Sequence, residues 1–299
     1  MHIALDFMRM LTRRVLPAPV RTFLRKLPLS LAVALSSNYL IAYWWDDPQV
    51  RNFGDVLNLP LIAALSGKKV VHPRRLVNLA GKPVYYVIGS VLRRVRSERA
   101  VVWGSGFIDS RDGMTARPAK VFAVRGPLTR RKLLELGVEC PEVYGDPALL
   151  CPMLFPPSPV KRFRLGIVPH WTERDSPLLA SLRERPDVGV VDVLLDVDEV
   201  VRQITECEAI ASSSLHGLIV AAAYGVPSVW VKMSGDIGGD DFKFHDYFLS
   251  VGRDNAVPLQ LAKDTSLEAL LAAAAGTGSR INTDKLLAAC PFAMNRCLN

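Results

Sequence analysis

Cysteine is scarce and forms no framework. The 299 residues hold five (Cys140, Cys151, Cys207, Cys290 and Cys297), an odd number with no C-x-x-C pair. Zinc sites and disulfide scaffolds are therefore not expected, and reduced, mostly buried thiols in a cytoplasmic protein fit better. A long apolar run is missing too. Residues 27–45 come nearest, but Pro28, Ser30, Ser36, Ser37 and Asn38 break the stretch before it reaches the ~20 continuous apolar residues of a membrane span. No basic stripe is interleaved with aromatics, so nucleic acid is not an expected partner. No G-x-S-x-G elbow supports a serine hydrolase. Gly104-Ser105-Gly106 lacks the third glycine of a dinucleotide fingerprint. No repeat at solenoid periods is present.

What the chain does have is the composition of a globular protein, 49% hydrophobic and 22% charged, at a length that favours two domains. Its net charge of +8 attracts polyanions without saying which. Most of that excess sits at one end. Residues 1–38 carry Arg9, Arg13, Arg14, Arg21, Arg25 and Lys26 against the single acid Asp6. Read as a basic, partly amphipathic extension, this arm suits an anionic membrane surface. A signal peptide with its apolar core at 29–35, or a plain packing extension, are the other readings.

After the arm, short apolar strands alternate with helical patterns, the mark of an α/β architecture. Strands are expected at 39–45, 69–72, 84–88, 100–103, 121–124 and 142–144, with helices at 55–65 and 126–136. Residues 151–159 hold four prolines in nine positions and read as a stiff linker. Beyond it, strands are expected at 164–169, 188–193, 209–212 and 228–231. Helices follow at 178–185, 197–207, 218–224, 262–275 and 284–289. The domains read as 1–38 (extension), 39–155 and 160–271 (two Rossmann-like domains), and 272–299 (a helical segment). Two such halves enclose a cleft between the carboxyl ends of their sheets, where ligands of open α/β sheets bind.

The polar motifs fall at strand ends. Asn52-Phe53-Gly54-Asp55 opens a helix; Asp55 can cap it, or the motif can meet an anion or sugar hydroxyl. The glycines around Ser105 allow close backbone approach. Arg125, at a strand end before Pro127, offers a bidentate grip on a carboxylate or phosphate, or else bridges to Asp146 as scaffold. Asp146 reads as a turn cap before Pro147. Ser212-Ser213-Ser214-Leu215-His216-Gly217 sets hydroxyls, backbone amides and an imidazole at one helix start, where His216 can serve as general acid or base. His170 lies just past another strand. Lys243 sits among Phe242, Phe244, His245 and Tyr247, suited to sugar and phosphate together or to packing. Residues 235–241 read as a mobile loop over the cleft, or a turn.

Taken together, Asn52-x-Gly54-Asp55, Gly104-Ser105-Gly106, Val124-Arg125-Gly126-Pro127, Gly145-Asp146-Pro147 and the 212–217 motif resemble the polysaccharide pyruvyl transferase family in order and spacing, over about residues 39–292. The resemblance implies a fold like the two-domain GT-B glycosyltransferases, with phosphoenolpyruvate as donor. It implies transfer of an enolpyruvyl-derived unit to two hydroxyls of one sugar, giving a cyclic ketal and phosphate. His216 takes the place of the family's Leu-His histidine, and Arg125 that of its Arg-Gly-Pro arginine. Ser214 stands where many members carry an arginine, so Lys243 or Lys232 would have to replace that contact. On this reading His216 is catalytic. Arg125, Ser213, Ser214, Lys243, Ser105 and Gly106 hold the donor, and Asn52, Asp55 and His170 are acceptor contacts or base candidates. No cofactor or metal is required, and the acceptor is a saccharide, which can be lipid-linked. The expected location is the cytoplasm, peripheral on the inner membrane face. A nucleotide-sugar glycosyltransferase of similar fold and a catalytically silent scaffold of a polysaccharide assembly complex are the alternatives.

Overall fold

The computed structural model describes residues 17–47, 52–77, 81–233, 237–278 and 281–292. Helix α1 (Ala18–Leu35) precedes β1 (Tyr39–Tyr43), followed by α2 (Phe53–Val56), α3 (Asn58–Ser66), β2 (Lys69–Val71), β3 (Val84–Tyr86), β4 (Ala100–Trp103), β5 (Lys120–Ala123) and α4 (Pro127–Glu135). The second half contains β6 (Phe163–Val168), α5 (Pro177–Arg183), β7 (Val188–Val190), α6 (Val197–Thr205), β8 (Cys207–Ser212) and α7 (Leu215–Ala223). It closes with β9 (Ser228–Lys232), α8 (Phe242–Ser250), β10 (Leu259–Gln260), α9 (Leu267–Ala274) and α10 (Asp284–Ala288). These strands form two parallel five-stranded sheets, one per half.

Both sheets have the same strand order. The first runs β2-β1-β3-β4-β5 and the second β7-β6-β8-β9-β10. In each, the chain steps outward by one strand and then returns to the other side of its starting strand. That reversal lies between β1 and β3 in one half and between β6 and β8 in the other. Loops leaving the carboxyl ends of such neighbours diverge to opposite faces and leave a crevice. The strands' composition fits their two-sided burial: Leu40-Ile41-Ala42 and Ala209-Ile210-Ala211-Ser212 are covered on both faces.

Helices obey the same logic. In α6 the buried Val197, Val200, Val201 and Ile204 recur at helical spacing, while Asp198, Glu199 and Arg202 lie in its polar turns. All nine residues of α7 are buried. Its Ala221, Ala222 and Ala223 permit close packing, and it lies against a 3-10 helix at Pro147–Met153. That helix takes up the first three residues of the expected linker at 151–159, while 154–159 form neither helix nor strand. Pro147 occupies a first-turn position where its missing N–H costs nothing, and Asp146 accepts from Ala148 N. Ala148, Leu149, Leu150 and Cys151 then bury against the core, so the chain is packed through Cys151. The strand expected at 142–144 reduces to one bridge between Val124 and Tyr144.

The N-terminal segment is also not a free arm in its described part. Val33 of α1 joins the core that holds Ile41, Val71 and Leu76, and Ser30 Oγ accepts from Val77 N at 3.0 Å. Val20, Phe23, Leu24, Leu31 and Leu35 remain exposed on the same helix. Residues 1–16, with Arg9, Arg13 and Arg14, lie outside the described residues. No described helix is long and apolar enough to cross a membrane.

Candidate active site

A cavity of about 440 Å³ opens where the reversal points of the two sheets meet. Asn52 and Asp55 reach it from the segment after β1, and Gly89 and Ser90 from that after β3. His170 and Trp171 come from the loop after β6, and Ser214, Leu215 and His216 from the β8–α7 junction. Lys243, in the first turn of α8, completes the wall. Thus Asn52, Asp55, His170, Ser214, His216 and Lys243, widely spaced in sequence, meet around one volume.

His216 is the most tightly held of them. Its ring lies on Gly54, where a Cβ would stand 2.1 Å from Nδ1, so only glycine permits the approach. Phe53 meets the ring edge-on at 6.4 Å. Nε2 faces Asp146 Oδ2 at 3.8 Å, and neither atom has a hydrogen-bond partner within 3.5 Å among the described residues. Burial drives the His216 pKa far down, with Arg125, Lys243 and His170 adding repulsion against a second positive charge. Burial pushes Asp146 the other way, up to about 7, against the pull of the Ala148 N–H, Arg125 and the Gly89 N–H.

The flanking groups are shifted by the same desolvation. Asp55 rises to about 6 through burial, opposed by Asn52, whose Nδ2 donates to Asp55 Oδ2 at 2.8 Å. Lys243 falls to about 8 through burial and then Arg125, with Asp241, Asp55 and Glu173 pulling back. His170 falls to about 4 through burial and then Lys243, and its Nδ1 sits 2.7 Å from Thr172 Oγ1. The cavity therefore combines an ammonium, neutral imidazoles and a carboxyl group able to ionise near neutral pH. The start of α7 adds unpaired backbone N–H groups and the positive end of its dipole.

Four of the residues assigned to donor binding lie elsewhere. Arg125 is fully buried behind the cavity wall. Its Nε donates to Asp246 Oδ2 at 3.0 Å, Nη1 to Ser90 Oγ at 2.7 Å and Nη2 to Phe107 O at 2.6 Å. Its partner is Asp246 rather than Asp146, so the guanidinium ties the two halves together. Asp246 also accepts from Thr129 N and Oγ1, and Gly126 lies so close that a Cβ would come 1.8 Å from Asp246 O. Gly106 makes room for this clamp, since its Cβ would stand 2.5 Å from Arg125 Cζ. Ser105 is fully buried and its carbonyl accepts from Arg125 N. Ser213 spends its hydroxyl on Glu173 at 2.5 Å while accepting from His170 N, which fixes the His170 loop. Lys232 pairs with Asp241, leaving Lys243 as the lysine that lines the cavity.

Sequence reasoning missed Arg93 and Arg94, which line the cavity from a 3-10 helix after β3. Arg94 lies over the Trp45 ring at 5.0 Å, and Arg93 stands 3.8 Å from Asp112. No local signal marks them, because two arginines after a Gly-Ser turn read alike on a cavity wall and on a solvated face. Trp45 and Trp171 add aromatic surface to opposite walls. Of the expected loop at 235–241, Gly235 and Asp236 lie outside the described residues, while Ile237 and Gly238 line the cavity.

Comparison with known proteins gives the family. The family model for polysaccharide pyruvyl transferase matches residues 45–235. The chain is 31% identical to the succinoglycan biosynthesis protein ExoV of Rhizobium meliloti (strain 1021), over 76% of this chain and 70% of that protein. It is 29% identical to an uncharacterized Acanthamoeba polyphaga mimivirus protein, L143, over 57% of this chain and 61% of that one. A crystal structure of a functionally uncharacterized Klebsiella pneumoniae protein covers 80% of this chain and 98% of its own at 12% identity. Its TM-score of 0.42 is too low to bear on the fold. With the match running from Trp45, after β1, past the end of β9, and with the 31% identity to ExoV, the chain belongs to the polysaccharide pyruvyl transferase family.

Proposed function

We propose that the protein transfers pyruvate from phosphoenolpyruvate to a sugar of a polysaccharide or its precursor, as a cyclic ketal, with release of phosphate. The observation that carries this reading is the meeting of Lys243, Arg93, Arg94 and the amino end of α7 with His216, His170 and Asp55 around one cavity. A donor bearing both a carboxylate and a phosphate needs several cations and helix amides, and the proton transfers need groups that titrate near neutrality. On this reading the two halves work as a GT-B-like pair, residues 39–155 and 160–271, closing on donor and acceptor together.

In the first step a proton adds to the methylene carbon of the donor. The C=C π pair forms the new C–H bond and leaves an oxocarbenium-like centre. A sugar hydroxyl oxygen bonds to that centre and gives up its proton, which restores the one spent. In the second step the bond from the central carbon to the phosphate oxygen breaks, and a second hydroxyl of the same sugar closes the ring. Its proton leaves with the phosphate. His216 is the acid of the first step. Lys243, Ser214 and the arginine pair hold the donor's charges, and Asn52, Asp55 and His170 face the acceptor, with Asp55 the stronger base candidate because His170 is held by Thr172. Arg125 contributes through its field and its clamp on the two halves.

Helix α1 supports a peripheral membrane location. Its exposed Val20, Phe23, Leu24 and Leu31 form one stripe, separate from the Ser30 and Val33 face that packs on the first sheet. Arg21 and Arg25 flank that stripe, an arrangement suited to anionic lipid. The transfer itself is tested by incubating the protein with radiolabelled phosphoenolpyruvate and candidate glycans. Label on the glycan with matching phosphate release is expected. Label arriving only from a nucleotide sugar would overturn the reading.

A further inference from the structure

Two buried polar atoms without hydrogen-bond partners are costly in an ordinary protein interior. Here two such atoms face each other: His216 Nε2 and Asp146 Oδ2, 3.8 Å apart. The separation is just too long for a hydrogen bond and just short enough to close with a small movement. Hydrogen bonds that serve catalysis are often long in the free enzyme and tighten with ligand bound.

Asp146 is well placed for this task because its other oxygen is engaged. Oδ1 accepts from Ala148 N at 3.0 Å, capping the Pro147–Met153 helix and fixing the carboxyl group's orientation. That helix in turn packs on α7, the element that carries His216. On the imidazole's other edge Nδ1 lies on Gly54. With Nε2 turned to Asp146, Nδ1 is the nitrogen left to address a ligand.

The charges around the pair explain why a lone histidine would serve poorly as an acid. Arg125, Lys243 and His170 all oppose an imidazolium at His216. Asp55 faces Asp146 and raises its proton affinity, and Cys151 and Tyr247 lie within its field. A histidine alone in such a place stays neutral through the physiological range. A neighbouring carboxyl group that keeps its own proton lets the neutral ring act as an acid, by replacing the proton it gives up.

We infer that Asp146 is a positioning residue for His216, the two side chains closing as the donor binds to share one proton between Oδ2 and Nε2. This rests on the reading of His216 as the acid of the transfer. As Nδ1–H passes its proton to the donor's methylene carbon, the Oδ2 proton moves to Nε2. The imidazole ends neutral and Asp146 ends as a carboxylate. The proton released by the attacking hydroxyl reloads the pair by the reverse path, so the balance closes without another reagent.

The test is nitrogen-15 NMR of the ligand-free protein, with His216 assigned by its absence in His216→Gln, beside kinetics of Asp146→Asn. Asparagine can still cap Ala148 N through its carbonyl oxygen, so the fold and melting temperature should be kept, while the shared proton is lost. In the wild type the His216 Nε2 resonance should pass through a step near neutral pH, and that step should vanish in Asp146→Asn. Turnover of the variant should fall by roughly 10²-fold, with KM for phosphoenolpyruvate little changed and the alkaline limb of the wild-type profile gone. A wild-type His216 with no step near neutrality, or an Asp146→Asn enzyme with wild-type turnover and profile, would overturn the inference. The NMR arm needs no substrate. A step present in a protein that ignores phosphoenolpyruvate would therefore reject the donor assignment while leaving the pairing of Asp146 with His216 standing.

Discussion

Gly54→Ala is the smallest change that should damage the site. Glycine at this position faces the His216 ring, and an added Cβ would lie 2.1 Å from Nδ1, 2.5 Å from Cγ and 2.9 Å from Cε1. Ordinary contact begins at 3.4 Å, so the ring must retreat by about 1.3 Å. Backbone strain is not the issue, because Gly54 sits in helix α2 without a positive φ, where alanine is favoured by up to about 1 kcal/mol. Overpacking costs about 1–3 kcal/mol, so the net loss of stability should be modest. Misplacing a reacting group by about 1 Å, however, can cost roughly 10²-fold in rate. The expected result is a folded protein whose melting temperature moves by only a few degrees and whose turnover drops by about two orders of magnitude. Steady-state assay of phosphate release, paired with thermal melting, reads both. Near wild-type turnover in Gly54→Ala would refute the claim that the ring must rest on this glycine to work.

Three further outcomes follow from the same geometry. Arg125→Met strands the Asp246 carboxylate in the interior and should cost about 3–5 kcal/mol in urea unfolding, whereas a mere ligand contact would leave the midpoint unmoved. Lys243 carries its charge only below about pH 8, so phosphoenolpyruvate affinity by calorimetry should weaken as pH rises through that value. In Lys243→Met this pH dependence should be absent and affinity lower throughout. Replacing exposed Phe23 and Leu24 of α1 by serine should leave melting unchanged but reduce sedimentation with anionic vesicles at low salt; unchanged binding would dismiss the helix as a membrane contact.

Much of this architecture was legible because strand runs and strand-end motifs are local signals. The strand at Ala100–Trp103 matches its expected bounds, and Ser214-Leu215-His216 opens a buried helix as its pattern implied. The places where reading fell short are long-range. Arg125 at a strand end looks like an anion grip, and nothing near it in sequence shows that Asp246 will occupy its Nε. Ser213 differs from Ser214 by one position, yet its hydroxyl turns to Glu173 while Ser214 lines the cavity. The prolines of 151–159 suggested a linker from composition, but burial against α7 sets the last turn of a 3-10 helix there. Residues 1–38 looked separable because they precede the first strand, yet Val33 is needed to cover Ile41 and Val71. Arg93 and Arg94 were passed over among other basic residues, since only the fold distinguishes a cavity wall from a solvated face.

The chemical fate of the donor's central carbon decides the account most directly. The protein is given phosphoenolpyruvate carrying carbon-13 at that position, with an acceptor glycan, and the purified glycan is examined by NMR. The account predicts a saturated quaternary carbon bonded to two oxygens of one sugar, beside a new methyl group, with one phosphate released per labelled unit and roughly 10²-fold slower formation by His216→Ala. A labelled carbon that stays olefinic, or one joined to the glycan through a single oxygen, would contradict it.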